Sequence, residues 1–107
     1  MDTDFERAEK IAEQNDRFRG MALDVVITSG VRDTLPDLVE LLRAVEQFDS
    51  FTEDNDPYGE HDFGSLVWYG EKVFWKIDYY DRELKYGRDP LEPDCRRVMT
   101  VMLASEY

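Results

Sequence analysis

Two stretches of the chain carry apolar residues at helical spacing. Leu38, Leu41, Leu42, Val45 and Phe48 recur at i, i+3, i+4, i+7 and i+10, the clearest amphipathic stripe present. The Thr34-Leu35-Pro36-Asp37 segment ahead of it is the expected helix start, with proline near the first turn and acids where the helix dipole favours them. Phe5, Ala8, Ile11 and Ala12 form a shorter stripe in a helix expected over 3–16. There Thr3-x-x-Glu6 matches a capping box, and Glu6 and Lys10 are spaced to pair.

The remaining apolar residues follow strand patterns. Ala22 to Thr28 is short and β-branched, and Ser29-Gly30 is expected to end it. Phe63 to Trp68 and Val73 to Tyr79 read as a hairpin joined by Tyr69-Gly70-Glu71-Lys72. In the return strand Val73, Trp75, Ile77 and Tyr79 share one face, and Phe74, Lys76, Asp78 and Tyr80 the other. The segment 81–94, rich in proline, glycine and charge, is a long connection, and Val98 to Leu103 closes the chain as a last antiparallel strand. The order α-β-α-β-β-β predicts an α+β domain spanning 1–107, an antiparallel sheet of about four strands with two helices packed on one face.

Charge changes this picture from fold to function. The 13 basic and 25 acidic residues leave a net charge of −12 on 107 residues. A duplex nucleic acid repels such a chain, because that binding depends on Lys and Arg displacing counterions. Anionic membranes are disfavoured for the same reason. The macromolecular partner it suits is basic, although high net charge also serves solubility by itself. Cys95 is the only cysteine, which allows no intramolecular disulfide and fits a reducing cytosol. The start M-D-T-D-F-E-R has no apolar h-region, and no apolar run approaches the ~20 residues of a membrane span, so a cytoplasmic protein is expected.

The acids concentrate between Asp49 and Asp62, D-S-F-T-E-D-N-D-P-Y-G-E-H-D, which holds six carboxylates, no Lys or Arg, and the sole histidine. Four strings of the chain resemble a known family. They are Ile11 to Arg19 (IAEQNDRFR), Phe51 to Gly64 (FTEDNDPYGEHDFG), Val73 to Asp81 (VFWKIDYYD) and Met99 to Tyr107 (MTVMLASEY). The family is one of small uncharacterised bacterial proteins, a domain of unknown function often encoded on plasmids and other mobile elements. The resemblance implies a context and no catalytic residue. Small acidic proteins of such elements are often inhibitors of host defence, including anti-restriction and anti-CRISPR proteins.

Several chemistries fit the acidic loop poorly. Asp54-x-Asp56-x-Tyr58-Gly59 meets an EF-hand pattern at positions 1, 3 and 6, but position 5 is Tyr58 and position 12 is Ser65 where a bidentate glutamate belongs. One histidine and one cysteine cannot complete a zinc tetrahedron. Cys95 lies between Asp94 and Arg96 without the surroundings that activate a thiol. No G-x-S-x-G, P-loop or G-x-G-x-x-G occurs. A two-metal hydrolase or nuclease site built from Glu53, Asp54, Asp56, Asp62 or Asp78, with a lysine such as Lys76, stays open.

Turn chemistry offers an architectural reading of Asn55 to Gly59: Asn and Asp cap their own backbone, Pro fixes φ, and Gly takes positive φ. The favoured expectation is a non-enzymatic inhibitor or adaptor that needs no cofactor. It would present Glu53, Asp54, Asp56, Tyr58, Glu60, His61 and Asp62 to a basic, nucleic-acid-binding host protein as a mimic of DNA phosphates. The alternatives are the metal-dependent hydrolase and a regulatory partner in plasmid maintenance.

Overall fold

The computed structural model describes residues 3–21 and 24–107. The Thr3 side chain, and with it the capping box, lies outside the described residues, as do Ala22 and Leu23 of the expected first strand.

Helix α1 (Thr3–Met21) runs five residues past the expected end. Its buried stripe continues from Ile11 through Asn15, Phe18 and Arg19, all at most 9 % exposed. Two of those four are polar, so the apolar period stops at Ala12 while the buried face does not. Strand β1 (Val25–Ile27) follows. Ser29-Gly30 does not simply end it. These residues open α2 (Ser29–Thr34), for which Thr28 is the N-cap, its hydroxyl accepting from Val31 N–H at 3.3 Å. Leu35 is extended (φ −106°, ψ 138°) and terminates α2, as the residue before a proline must be biased. Helix α3 (Leu38–Glu46) then starts from Asp37, which sits in the left-handed region at φ 57°. Among the described residues the α-helices therefore number three where two were expected.

Strands β2 (Phe63–Trp68) and β3 (Glu71–Tyr80) form the hairpin. Its turn is only Tyr69-Gly70, with φ of 50° and 81°. Positive φ at both central residues is the type I′ geometry that matches strand twist. Glu71 and Lys72 thus belong to β3, not to the turn. Strand β4 (Arg96–Leu103) pairs antiparallel with β3 and leads into a 3-10 turn, Ala104–Glu106.

The sheet order is β1-β4-β3-β2. An antiparallel sheet was expected throughout, but β1 pairs parallel to β4, with Val25 opposite Met99 and Ile27 opposite Val101. The sheet is mixed and mostly antiparallel. The partners of that parallel pair lie more than seventy residues apart, so no local pattern carries their direction.

The expected alternation of β3 holds. Val73, Trp75 and Ile77 are buried against Phe18 of α1, Val31 and Leu35 of the α2 segment, and Leu41 and Val45 of α3, with Met99 and Val101 beside them. On the opposite face Tyr107 packs edge-on against Phe63 and Phe74.

Candidate functional site

The loop 47–62 is shaped by its own side chains. Asn55 accepts from Thr52 N–H at 2.8 Å and donates to the Ser50 carbonyl at 2.8 Å. Gly59 N–H donates to the Asp56 carbonyl at 3.0 Å, with Gly59 at φ 69°. The Asp56 carboxylate accepts from the amides of Glu60 and His61. These are the self-capping bonds that the Asn-Asp-Pro-x-Gly sequence favours. They leave the Asp56 side chain only 6 % exposed. Asp56 is an internal strut of the loop.

His61 docks the loop on α1. Its Nδ1 lies 2.9 Å from Asp16 Oδ1, its Nε2 lies 3.7 Å from Asp56 Oδ2, and its ring stacks on Phe51 at 3.8 Å and 3°. His61 holds φ 56°, uncommon outside glycine and asparagine-like residues. Beneath this layer Arg19 donates to the Phe48 carbonyl at 2.8 Å and meets Asp16 at 3.3 Å. Its guanidinium carbon sits 4.7 Å from the Trp75 ring centroid and 5.4 Å from that of Phe51. Burial pulls the Arg19 pKa down, and the Asp16 charge opposes that shift.

A second docking point is Asn15, which is fully buried. Its amide donates to the Glu60 carbonyl and to the Tyr79 hydroxyl, both at 2.9 Å, and its carbonyl accepts from Arg97 Nε at 2.7 Å. Glu60 and Asp62 lie at this inner end. Burial raises the pKa of both carboxyls, and the neighbouring acids add to it: Asp62 on Glu60, and Asp56 and Asp78 on Asp62. Burial also raises Tyr79, reinforced by the charges of Asp62 and Glu60.

The seven residues expected to form one surface therefore divide. Glu53, Asp54 and Tyr58 are exposed, Tyr58 to 80 %. Asp56 and His61 hold the loop together, and Glu60 and Asp62 are half-buried at its base. Among the described residues, no group of three or more His, Cys, Asp or Glu side chains is placed to hold a metal ion.

What the loop does form with α1 is an open cleft of about 630 Å³, walled by Glu6, Glu9, Lys10, Ala12, Glu13, Asp16, Gly59 and His61. Four carboxylates of one helix face it with a single lysine. The α1 acids were missed as site residues in the sequence reading. Their signal was present, since Glu6, Glu9, Glu13 and Asp16 are spaced 3, 4 and 3 apart, the period of one helix face. Phe51, Asn15 and Arg97 carried no comparable signal, because each is recruited by tertiary contact.

The fold and this cleft define a small two-layer α+β domain with an acidic helix–loop face. The chain belongs to the DUF3768 family, described as a protein of unknown function, whose model matches residues 27–106. The match takes in the loop, α2, α3 and strands β2 to β4, while α1 and all of β1 but Ile27 precede it. Neither the curated proteins nor the solved structures yield a match. Among the described residues no helix is long and apolar enough to cross a membrane.

Proposed function

We propose that this protein is a non-enzymatic acidic inhibitor or adaptor of a basic, nucleic-acid-binding protein, of the anti-CRISPR or anti-restriction kind carried by mobile elements and active in the cytoplasm. The observation that supports it is the cleft in which Glu6, Glu9, Glu13 and Asp16 face a single lysine, in a chain of net charge −12. Glu53 and Asp54 add exposed carboxylates on the loop, and Tyr58 adds an exposed ring next to Gly59 of the cleft wall. Closely spaced carboxylates compete with phosphates for Lys and Arg and steer a basic partner in from a distance. An exposed tyrosine is a residue type that often anchors interfaces. The rigid turn around Asp56 holds the surface in shape, so little ordering entropy opposes binding.

The test uses an arginine-rich peptide with duplex DNA as competitor, read by fluorescence anisotropy over a salt series. Binding is expected to weaken steeply with salt and to be displaced by DNA. The double variant Glu9→Lys, Glu13→Lys is expected to lose at least about tenfold in affinity, about 1.4 kcal/mol. Glu46→Lys with Glu71→Lys changes net charge equally away from the cleft and is expected to lose far less. Equal losses in the two double variants, or affinity that ignores salt, overturn the reading.

A further inference from the structure

The sheet ends in two unlike edges. Strand β1 is three residues long, and very short edge strands offer little for another chain to pair with. Strand β2 is six residues, Phe-Gly-Ser-Leu-Val-Trp, with no charge, no proline and an uninterrupted register against β3. It thus lacks three of the usual devices that keep an edge from pairing: charge, proline and a bulge. This stands out in a chain that is 36 % charged.

The hydrogen-bond phase of the edge follows from one bond. Ile77 N–H donates to the Asp62 carbonyl at 2.8 Å, just before the pair Phe63–Lys76. That makes Phe63–Lys76 a non-hydrogen-bonded pair, and the alternation assigns Gly64, Leu66 and Trp68 to bond β3. The amides and carbonyls of Phe63, Ser65 and Val67 therefore point outward. No other backbone hydrogen bond engages them among the described residues. The Val67 side chain is 68 % exposed beside them.

We propose that β2 pairs antiparallel with β2 of a second copy about a two-fold axis at Ser65, joining two sheets into one of eight strands. The strand is self-complementary in that register. Phe63 meets Val67 of the second copy, Ser65 meets its own counterpart, and each of the three outward pairs exchanges two backbone bonds. On the opposite face of the strand, Leu66 of each copy lies opposite Gly64 of the other, which carries no side chain and is covered by the Trp75 indole of its own chain. No charged side chain of β2 enters the contact, so the residues meeting there are those a β-strand environment favours. An uncharged, β-prone strand is the occupant that this uncharged edge accepts. A segment carrying Lys or Arg at alternate positions finds no carboxylate on β2 to meet.

The proposal is independent of the basic-partner reading, and salt separates the two. Self-association joins two chains of net charge −12 and gains from screening, whereas capture of a basic partner weakens with screening. Sedimentation velocity across a concentration series is expected to show a monomer–dimer equilibrium. It shifts toward dimer between about 0.1 M and about 1 M salt, where the Debye length falls from about 10 Å to about 3 Å. Amide exchange at Phe63, Ser65 and Val67 is expected to slow together as dimer forms.

Ser65→Pro removes an outward donor without touching a β3 bond. It is expected to weaken association at least about tenfold with an unchanged far-ultraviolet spectrum. Val67→Lys places a charge on the edge and is expected to do the same through different chemistry. The proposal is overturned by a monomer at every concentration and salt. It is equally overturned by a dimer indifferent to both variants, or by protection of those amides only when an arginine-rich peptide is added.

Discussion

His61 on the loop and Asp16 on α1, forty-five residues apart in the chain, meet through Nδ1 and Oδ1 at 2.9 Å. The contact fixes one wall of the acidic cleft against the other. Both side chains are partly solvent-exposed, so this polar contact by itself adds little. The stack of the imidazole on Phe51 adds more, because it covers an aromatic ring above Trp75. His61→Ala is expected to cost about 1 to 2 kcal/mol. Amide exchange at Glu60 and His61 is expected to quicken more than in β3. A loss of stability spread evenly over the molecule would show that His61 is not a local clasp.

Asn15 is a sharper test of the same junction. It bonds Glu60, Tyr79 and Arg97 from a fully buried position. Asn15→Ala leaves a half-buried guanidinium, a carbonyl and a phenol each short of a partner, and is expected to cost about 2 to 4 kcal/mol in denaturant unfolding. A cost below about 0.5 kcal/mol would mean that water replaces the amide freely.

Glycine contacts differ according to what a methyl group meets. A Cβ at Gly64 overlaps the indole of Trp75, a rigid and fully buried ring. Gly64→Ala is expected to destabilise by about 2 kcal/mol or more. A Cβ at Gly30 comes within 2.5 Å of the Glu106 carboxyl carbon, the far end of a flexible side chain. Gly30→Ala then displaces the bonds from Thr28 Oγ1 and Leu103 N–H to Glu106, at a cost nearer about 1 kcal/mol. Thermal unfolding of the two variants is expected to rank them in that order.

Stability depends on pH through two sets of acids with opposite signs. Burial first, and neighbouring carboxylates second, raise Glu60 and Asp62 in the folded state. The folded chain therefore holds their protons more tightly than the unfolded chain, and stability falls as pH rises through the window from the ordinary carboxylate range to the raised values. Asp62→Asn is expected to gain stability relative to the parent at neutral pH, an advantage that shrinks as the pH falls through the raised value toward the ordinary carboxylate range. Asp89, Asp94 and Glu106 are lowered, by the Leu91 amide, Arg88 and Thr28 respectively as the largest cause. Their contribution is present above the ordinary carboxylate range and is lost as pH falls through their depressed values. Urea unfolding of the parent and Asp62→Asn across pH 7 to pH 4 checks the sign.

Local sequence was enough to determine the elements whose information is local. The period of Leu38 to Val45 specified α3, Val73 to Tyr79 specified which face of β3 is buried, and Asn55 to Gly59 specified a self-capped turn. These follow from side-chain spacing and from bonds closed within a few residues. Net charge similarly restricted the class of partner, since it is a property of composition. Tertiary structure decided the rest. It set the parallel direction of β1 against β4, because that pairing closes across most of the chain. It carried the buried face of α1 past Ala12 with Asn15 and Arg19, polar residues that stay inside only because Tyr79, Arg97, Phe48 and Trp75 supply partners from other elements. It also redistributed the acidic loop, turning Asp56 inward and bringing Glu6, Glu9 and Glu13 to face its tip. A carboxylate reads the same in sequence whether it caps a turn or meets a partner, and only the surrounding donors settle which.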